Sequence, residues 1–539
     1  MWPKFENYLT FSKTFGSHAL SVMGGISYEK NSNGRSIDVK GTGYGGLAIP
    51  IKKVTLGSNP ATVTGEGVWL TPTMSYFGRF NYSFKDRYLL TANFRADASY
   101  KFAPANRWGY FPSISAAWKI KEEAFLKDVN FISSLKLRVS WGRAGNDQIN
   151  EFAYVSNVYT GGYSGGENLI VYPFGIDNAL TSAGYGATVN TLPSTRIRWE
   201  ETTTRGLGID AGFLNDKLGL TFDYYDKNTD GILVPVPVPL STGINNPTIK
   251  NAASVSNKGI DMQIYYKGST SIGFDYSASF VAGYNKNKVI SLGEGQPIYA
   301  NSDQQIGYMN RTEAGKPIGY YYGYKTDGIL YTQAEADSYN AKYGTTSSAG
   351  DYKFLDVNGD GLISDADRTN LGNAMPAWTY GLNLYFSYKG FDLQIAGSGV
   401  YGCELINYTR AYWLEGGVRP FNGSTTLLNR WKYDGDTQAT LPRVANTDPN
   451  KNTRFSDRYI EDGSYGRLKT LTIGYTFNNK LFGNALQSLR IYTTMENLLL
   501  ITKYKGFDPE VGGGTIARGL DTQGIPMPKN YLLGIQISF

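Results

Sequence analysis

Residues 531–539, YLLGIQISF, close the sequence and show the alternation on which the fold prediction depends. One set of alternate residues is uniformly apolar, and it comprises Tyr531, Leu533, Ile535, Ile537 and Phe539. The set between them is mixed, and it comprises Leu532, Gly534, Gln536 and Ser538. Because successive side chains of a β-strand point to opposite faces of a sheet, this period of two predicts a strand with one apolar face.

The same alternation recurs along the chain in segments that are long for a soluble sheet, where about five or six residues are usual. A strand that crosses a bilayer at a tilt needs roughly nine to eleven residues. We predict fifteen such strands, with the approximate spans 5–14, 17–30, 71–83, 88–101, 108–120, 135–146, 198–213, 217–234, 254–268, 272–287, 378–388, 391–406, 465–477, 488–500 and 530–539.

The predicted connections alternate between long and short. The long ones are 31–70, 147–197, 235–253, 288–377, 407–464 and 501–529, with 102–107 as a brief exception. The others are tight turns such as TFGS, LNDK and YKGST, with moderate turns near 121–134 and 478–487. Outer-membrane barrels place short turns at one end and long extracellular loops at the other. The pattern therefore favours an all-β transmembrane antiparallel barrel over a soluble sheet with one buried face, which is the alternative reading of the alternation.

The composition excludes several other classes of protein. Aromatic residues make up 14% of the 539 residues and charged residues only 18%, with no run of Lys and Arg that would indicate nucleic-acid binding. A single cysteine, Cys403, cannot form an internal disulfide bond, and the single histidine, His18, lies in a Gly/Ser turn. Since no hydrolase, P-loop or zinc-protease pattern stands at a credible spacing, we predict that the protein is not an enzyme.

Several stretches carry a resemblance to a known family. They include RWGYFPSISAAWKIKEEAFL at 107–126, SLKLRVSWGRAGND at 134–147, RWEETTTRGLGIDAGF at 198–213 and MENLLLITKYKGFDPEV at 495–511. In this order, and over nearly the whole chain, the sequence resembles the barrel of SusC/RagA-type TonB-dependent outer-membrane transporters of Bacteroidetes. The resemblance implies a Gram-negative outer membrane, extracellular loops, and import of an oligosaccharide or peptide captured with a SusD-like surface lipoprotein.

The resemblance also implies parts that the sequence does not show. Such transporters carry an N-terminal plug domain, preceded by a segment that engages TonB, and large members have about 22 strands. We therefore expect residues 1–539 to be the C-terminal portion of such a barrel, as a gene fragment, a split-gene product or a partial chain. A smaller barrel closed by these strands alone is the structural alternative. A calcium-stabilised surface binding or adhesion barrel without active transport is the functional alternative.

The stretch DVNGDGLISDAD at 356–367 has the spacing of a calcium-binding loop. Position 6 is the turn glycine Gly361, and calcium needs oxygen ligands from the positions around it. The predicted ligands are Asp356, Asn358, Asp360, the Leu362 carbonyl, Ser364 and Asp367. The alternative is an Asx/Gly turn that binds no ion, which the same residue types favour. Because an extended stretch precedes the motif, we expect Ca²⁺, if bound, to be structural and to lie in the connection 288–377.

The long connections are rich in aromatic residues, whose faces beside Asn, Gln and Asp suit the capture of a sugar or a peptide. The predicted substrate contacts are Tyr320, Tyr321, Tyr322, Trp413 and Trp431. The alternative is that these side chains pack the loops against one another.

Overall fold

The fold is taken from a computed structural model of the chain. It describes residues 4–32, 36–40, 62–66, 70–150, 153–155, 158–160, 173–174, 184–185, 187–189, 192–236, 238, 241, 248–293, 295–303, 306–415, 423–445, 448–477, 486–522 and 524–539. Parts of the predicted connections 31–70, 147–197, 235–253 and 478–487 therefore lie outside the described residues.

Long antiparallel strands dominate the described chain, as the alternation predicts. One sheet of fifteen strands is present among these residues, and its spatial order is the order of the sequence. The strands are β1 Lys4–Phe15, β2 His18–Ser32, β3 Leu70–Phe84, β4 Tyr88–Ser99, β5 Trp108–Lys119, β6 Ile132–Asn146, β7 Glu200–Phe213, β8 Leu218–Val236, β9 Thr248–Ser269, β10 Phe274–Leu292, β11 Trp378–Tyr388, β12 Phe391–Tyr401, β13 Tyr465–Phe477, β14 Ser488–Thr502 and β15 Asn530–Ser538. Each of the fifteen predicted strands corresponds to one of them.

Sequence neighbours in this sheet pair in antiparallel register. The register is unbroken from β1 to β4. From β9 to β15 it shifts at three places, which lie at 254/255 in β9, 396/397 in β12 and 468/470 in β13. The terminal strand pairs with β14 from Met495 opposite Tyr531 to Ser488 opposite Ser538. Within the described sheet, β1 and β15 each have a neighbour on one side only.

The turns between paired strands explain the alternation of connection lengths. At the β7–β8 turn, Leu214, Asn215 and Asp216 all have positive φ near 55–57°. This left-handed run reverses the chain in four residues, and the β1–β2, β3–β4, β9–β10 and β11–β12 connections are two to four residues long. The connections that follow β2, β6, β10, β12 and β14 are long, so the predicted alternation is confirmed.

The long connections contain their own short strands and helices. The additional strands are Ser36–Lys40, Thr62–Glu66, Val158–Thr160, Pro173–Phe174, Gly184–Tyr185, Ala187–Val189, Ile298–Asp303, Gly307–Thr312, Tyr320–Gly323, Thr326–Ile329, Tyr352–Phe354, Thr369–Gly372, Glu404–Asn407, Ile460–Asp462, Gly513–Gly514, Ala517–Arg518 and Leu520–Asp521. The α-helices are α1 Ala124–Lys127 and α2 Gln333–Tyr343, beside a π-helix at Thr409–Leu414. The 3-10 turns are Pro104–Asn106, Ile120–Glu122, Asp365–Asp367, Thr425–Asn429 and Asp457–Tyr459.

Two compact units are distinguishable. One comprises residues 1–116, 141–203 and 231–251, and the other comprises 117–140, 204–230 and 252–539. In the second unit, the main buried cluster of apolar side chains lies in the long connections rather than on the sheet. The two strands at the edges of the sheet are exposed instead. All twelve residues of β1 are exposed, and Leu533 of β15 is 78% exposed.

The described helices are short. None of them is long and apolar enough to cross a membrane.

Candidate functional site

Three long connections of the second unit pack into one folded body, which we call the loop assembly. It consists of the described residues of 293–377, 402–464 and 503–529. Backbone bonds join all three connections: Glu404 N–H donates to the Asn373 carbonyl at 2.9 Å, and Ile406 N–H donates to the Gly519 carbonyl at 2.9 Å. Strand 404–407 lies between 460–462 and 520–521, in antiparallel and parallel pairing respectively.

Tyr321 lies where the three connections meet. It has no exposed surface, and its hydroxyl donates to the Glu404 carbonyl at 3.0 Å with the Gly519 carbonyl 3.4 Å away. Its neighbour Tyr320 is 2% exposed and donates to Glu313 Oε1 at 2.6 Å. Both positions favour the packing role that the sequence leaves open, and contact with a substrate stays a prediction for these two residues.

Tyr322 has a different environment, and it is only partly buried. The guanidinium of Arg311 lies 4.3 Å from its ring centroid and that of Arg368 lies 4.7 Å away. Arg368 Nη2 also donates to the Tyr322 carbonyl at 2.8 Å. Both guanidinium groups lie within cation–π distance of the ring, so cation–π attraction helps to hold the Tyr322 side chain in place.

The two arginines beside Tyr322 are absent from the sequence-based set of site residues. Arg311 and Arg368 lie 57 residues apart, and neither belongs to a motif. Strand pairing brings them together, because 307–312, 320–323 and 369–372 are neighbours in one four-stranded sheet. In the sequence, only the aromatic stretch YYYGY indicated a possible site around Tyr322. It gave no indication that Arg311 and Arg368 lie beside this ring.

The two predicted tryptophans lie in separate places within the loop assembly. Trp413 packs against the main apolar cluster and contacts the rings of Tyr412 and Tyr408 at centroid distances of 5.8 and 6.5 Å. Trp431 packs against a second cluster, and its indole N–H donates to the Tyr331 carbonyl at 2.9 Å. Both are partly buried, so each combines a packing role with an accessible edge.

Burial raises the pKa of several buried tyrosines in the loop assembly. For Tyr324 the pKa rises to about 12, because burial and the hydrogen bond to Asp365 both disfavour the phenolate. For Tyr339 burial is the main cause that raises the pKa to about 12, against the opposing bond to the Phe354 carbonyl. The pKa of fully buried Tyr459 is also raised by burial. These groups hold the loop assembly together as neutral hydrogen-bond donors.

The predicted calcium loop, 356–367, follows strand 352–354 and ends with the 3-10 turn 365–367, in the connection between β10 and β11. Asp356 accepts from the N–H groups of Gly359 at 2.7 Å and Gly361 at 2.9 Å. Both glycines have positive φ, 76° and 81°. The predicted extended stretch before the motif is confirmed, and the chain turns tightly around the Asp356 carboxylate.

The remaining oxygens of the motif face the same turn. Asp360 Oδ1 accepts from Leu362 N–H at 2.9 Å, and Asn358 Nδ2 donates to Asp360 Oδ2 at 2.8 Å. Asp367 is fully buried and accepts from the N–H groups of Val357 at 2.9 Å and Ser364 at 2.7 Å. Within the described residues, no three Asp, Glu, His or Cys side chains form a metal-binding group on their own. A cation here would depend on Asn358, the Leu362 carbonyl and Ser364 as well.

Electrostatics in this loop favour negative charge. Partial burial raises the pKa of the Asp356 carboxyl, but bonds from the N–H groups of Gly361, Gly359 and Asp360 outweigh it. A side-chain contact with Asp367 acts in the same direction, and the net pKa lies below the ordinary value. Asp356 is therefore a carboxylate at neutral pH, as a calcium ligand must be.

The long antiparallel strands, the short turns at one end of each hairpin and the long loops at the other define a protein of the outer-membrane β-barrel class. Comparison with protein families agrees with this class. The chain belongs to the family described as TonB dependent receptor-like, beta-barrel, whose model matches residues 3–498.

Two relatives extend this result. TonB-dependent receptor P3 of Formosa agariphila is 32% identical, with 99% of this chain and 52% of that protein aligned. TonB-dependent receptor SusC of Bacteroides thetaiotaomicron is 30% identical, with 99% of this chain and 50% of that protein aligned. The chain thus spans about half the length of these relatives. They are receptors rather than enzymes, which bears out the expectation that the protein is not an enzyme.

Among solved structures, the RagAB peptide transporter matches with a TM-score of 0.80 at 23% sequence identity. The match covers 99% of this chain and 55% of that chain. At this level of identity the likeness establishes the shared fold. The resemblance to SusC/RagA-type barrels is therefore confirmed.

Proposed function

We propose that the chain is part of an outer-membrane importer that passes an oligosaccharide or a peptide. The observation that carries the proposal is the match of almost the entire chain to the RagAB peptide transporter with a TM-score of 0.80. The relatives named as TonB-dependent receptors support import that is energised through TonB. In this proposal, a SusD-like lipoprotein captures the solute, and TonB acts through a plug outside these 539 residues.

The loop assembly gives the importer a preformed outer surface. Its strands pair with one another, and its aromatic side chains are fixed by buried hydrogen bonds, as at Tyr321. Such a body does not need to fold when it meets a lipoprotein or a solute, so less conformational entropy is lost on binding. We assign solute contact to Tyr322, Trp413 and Trp431, which keep partly exposed rings, and leave Tyr320 and Tyr321 a packing role.

Uptake by living cells tests the proposal. A strain that lacks the complete gene should lose uptake of a labelled oligosaccharide or a labelled peptide, and the wild-type gene should restore it. Uptake should also be lost in a TonB-deficient strain that still assembles the barrel. Surface binding that persists without any TonB-dependent uptake would instead support a surface binding or adhesion barrel.

We also propose that the loop 356–367 binds one structural Ca²⁺. Asp356, Asn358, Asp360, Ser364 and Asp367, together with the Leu362 carbonyl, supply oxygen atoms of the type that calcium prefers. The support is the folding of the motif around two carboxylates in contact, Asp356 and Asp367. A cation bound by these oxygens would stiffen the connection between β10 and β11.

Calcium titration of the purified protein tests this second proposal. We expect Asp356→Ala and Asp360→Ala to weaken binding at least about tenfold, since each removes a charged ligand. Asp337→Asn is the matched control, because Asp337 is an exposed carboxylate of α2 that accepts from Gln333 at 2.9 Å. At a calcium concentration 100 times Kd, the wild type should gain about 2.7 kcal/mol of stability. Equal calcium binding by the wild type and the three variants would contradict the assignment of residues 356–367 as a calcium site.

A further inference from the structure

A basic cavity lies in the first unit, where two chain segments enter the main sheet. One segment, 193–198, leads into β7, and the other, 248–251, begins β9. The cavity has a volume of about 530 Å³. The described residues that line it include Arg196, Arg198 and Lys250, and none of these described residues is an aspartate or a glutamate. None of the described residues that line the cavity belongs to the loop assembly or to the calcium motif.

Side-chain and backbone hydrogen bonds hold the walls of this cavity in place. The Asn251 amide pairs with the backbone of Arg198, accepting from its N–H at 2.8 Å and donating to its carbonyl at 2.8 Å. Asn251 Nδ2 also donates to the Gly231 carbonyl at 2.6 Å. Ser194 Oγ donates to the Ile249 carbonyl at 2.6 Å. These hydrogen bonds join the two segments. They hold the backbone that carries Arg196 and Arg198, so the two side chains start from fixed positions.

The two arginines of the cavity have exposed side chains. Among the described residues, no carboxylate lies within salt-bridge distance of Arg196 or Arg198. The adjacent acid, Glu200, has both oxygens engaged elsewhere, accepting from Leu233 N–H at 2.7 Å and from Asn146 Nδ2 at 2.7 Å. Two guanidinium groups therefore leave their donors available to a ligand.

A second observation points to a ligand inside the cavity. Thr248 lines the cavity and is 5% exposed, yet its buried Oγ1 has no hydrogen-bond partner among the described residues. A buried hydroxyl without a partner costs free energy, so such groups are normally satisfied by protein, water or ligand. An acceptor atom placed between Thr248 and the arginines would satisfy this hydroxyl.

From this arrangement we propose that the cavity is a binding site for an oxyanion group carried by a solute. Guanidinium groups bind sulfate, phosphate and carboxylate oxygens in paired hydrogen bonds, and the Thr248 hydroxyl adds a second type of donor. The cavity is much larger than a single oxyanion and falls in the size range of small-molecule sites. It therefore has room for the sugar ring or amino-acid residue that bears the charge. Binding is measured without transport, so this inference and the proposed import function fail independently.

Titration calorimetry with inorganic sulfate tests the site on the complete protein in detergent. Sulfate replaces chloride at constant ionic strength, so general screening does not change. The wild type should bind sulfate saturably, and Arg196→Gln/Arg198→Gln should bind at least about tenfold more weakly. Lys217→Gln/Lys389→Gln is the matched control, since it removes the same charge from exposed residues of two short turns and should leave the affinity unchanged.

Two further measurements make the test specific. Thr248→Val replaces the hydroxyl with a methyl group of similar shape, so it should weaken sulfate binding without lowering stability. Glucose 6-sulfate should bind more tightly than glucose. The proposal is overturned if the wild type shows no saturable binding, or if both double variants bind sulfate equally. It is also overturned if only nanodiscs containing anionic phospholipid bind, because the site would then hold a lipid headgroup.

Discussion

At the residue scale, one glycine shows how closely the loop assembly is packed. Gly519 has a φ of 81°, and a Cβ built on it would lie 2.1 Å from Tyr321 Oη and 2.5 Å from Ala374 Cβ. The position therefore needs glycine both for its backbone conformation and for space. Tyr321 can reach the Glu404 carbonyl only because this glycine leaves the path open.

Gly519→Ala should therefore destabilise the loop assembly by about 2 kcal/mol or more, from left-handed strain and overpacking together. Gly512→Ala is the control on the same connection, because its Cβ would meet nothing within 4 Å. Thermal unfolding and the rate of limited proteolysis of the loops measure the difference. Similar stability in the two variants would show that Tyr321 moves aside without cost.

A buried ion pair makes a second residue-scale prediction. Asp351 has no exposed surface, and it accepts from Arg443 Nε at 2.7 Å and from Asn452 Nδ2 at 2.9 Å. Arg443→Gln leaves this carboxylate buried without its cation. We expect a loss of about 2–3 kcal/mol in unfolding free energy, less than for a fully buried pair because the Arg443 side chain is 26% exposed.

Lys353→Gln provides the comparison for the buried pair. Its partner Asp327 is 59% exposed, and surface ion pairs contribute about 0–1 kcal/mol. Chemical denaturation of the two variants should separate them clearly. Equal losses would mean that Asn452 and the backbone alone satisfy Asp351.

At the scale of elements, the loop assembly depends on neutral tyrosines that join its strands and helix. Tyr339 of α2 donates to the Phe354 carbonyl at 2.7 Å, and Tyr504 donates to Asp521 at 2.5 Å. Burial is the first cause of the raised pKa in both residues. These elements are therefore sensitive to the ionisation of a phenol.

This leads to a prediction for alkaline pH. A phenol whose folded pKa lies above its unfolded value of 10.0 contributes stability that is fully present below pH 10. The contribution of Tyr324 and Tyr339 is lost as the pH rises through about 12. Tyrosinate absorbance and loop proteolysis, followed across this range, should change together. Titration of every tyrosine near pH 10 with the loops intact would contradict the predicted burial.

The strand elements show where sequence-based boundaries fail. Alternation predicts 254–268 and 272–287, whereas β9 is Thr248–Ser269 and β10 is Phe274–Leu292. The additional residues at the long-loop ends still pair, as Ala253 does with Leu292. The alternation of apolar and polar residues weakens there, because pairing with a neighbouring strand extends each strand beyond the region in which one face must be apolar.

At the scale of the whole molecule, the two edge strands of the sheet need hydrogen-bond partners. Within the described sheet, β1 and β15 each pair on one side, and unpaired strand edges are costly in lipid. We propose that strands outside these 539 residues complete the barrel, in keeping with relatives about twice as long.

Expression of two forms tests this proposal. Residues 1–539 alone should not give a heat-modifiable barrel in outer membranes, whereas the same residues joined to an N-terminal portion from a relative should. Heat-modifiable migration in gel electrophoresis reports closure in each case. A stable, heat-modifiable product from the 539 residues alone would instead support the smaller barrel closed by its own strands.

The sequence by itself determined the strands, their order and the class of protein. Side-chain alternation is a local property, and each hairpin pairs neighbours in sequence, so YLLGIQISF and its counterparts were sufficient. The spacing of DVNGDGLISDAD likewise predicted a tight turn around Asp356, because its hydrogen bonds span only a few residues.

Only the tertiary structure decided which loop residues are buried and which groups meet. Tyr320, Tyr321 and Tyr322 are identical in type and adjacent in sequence, yet two are buried and the third lies within cation–π distance of two arginines that are 57 residues apart. The cavity with Arg198, Thr248 and Asn251 likewise joins segments about 50 residues apart. Such contacts depend on the pairing of distant segments, and no local pattern of residue types records them.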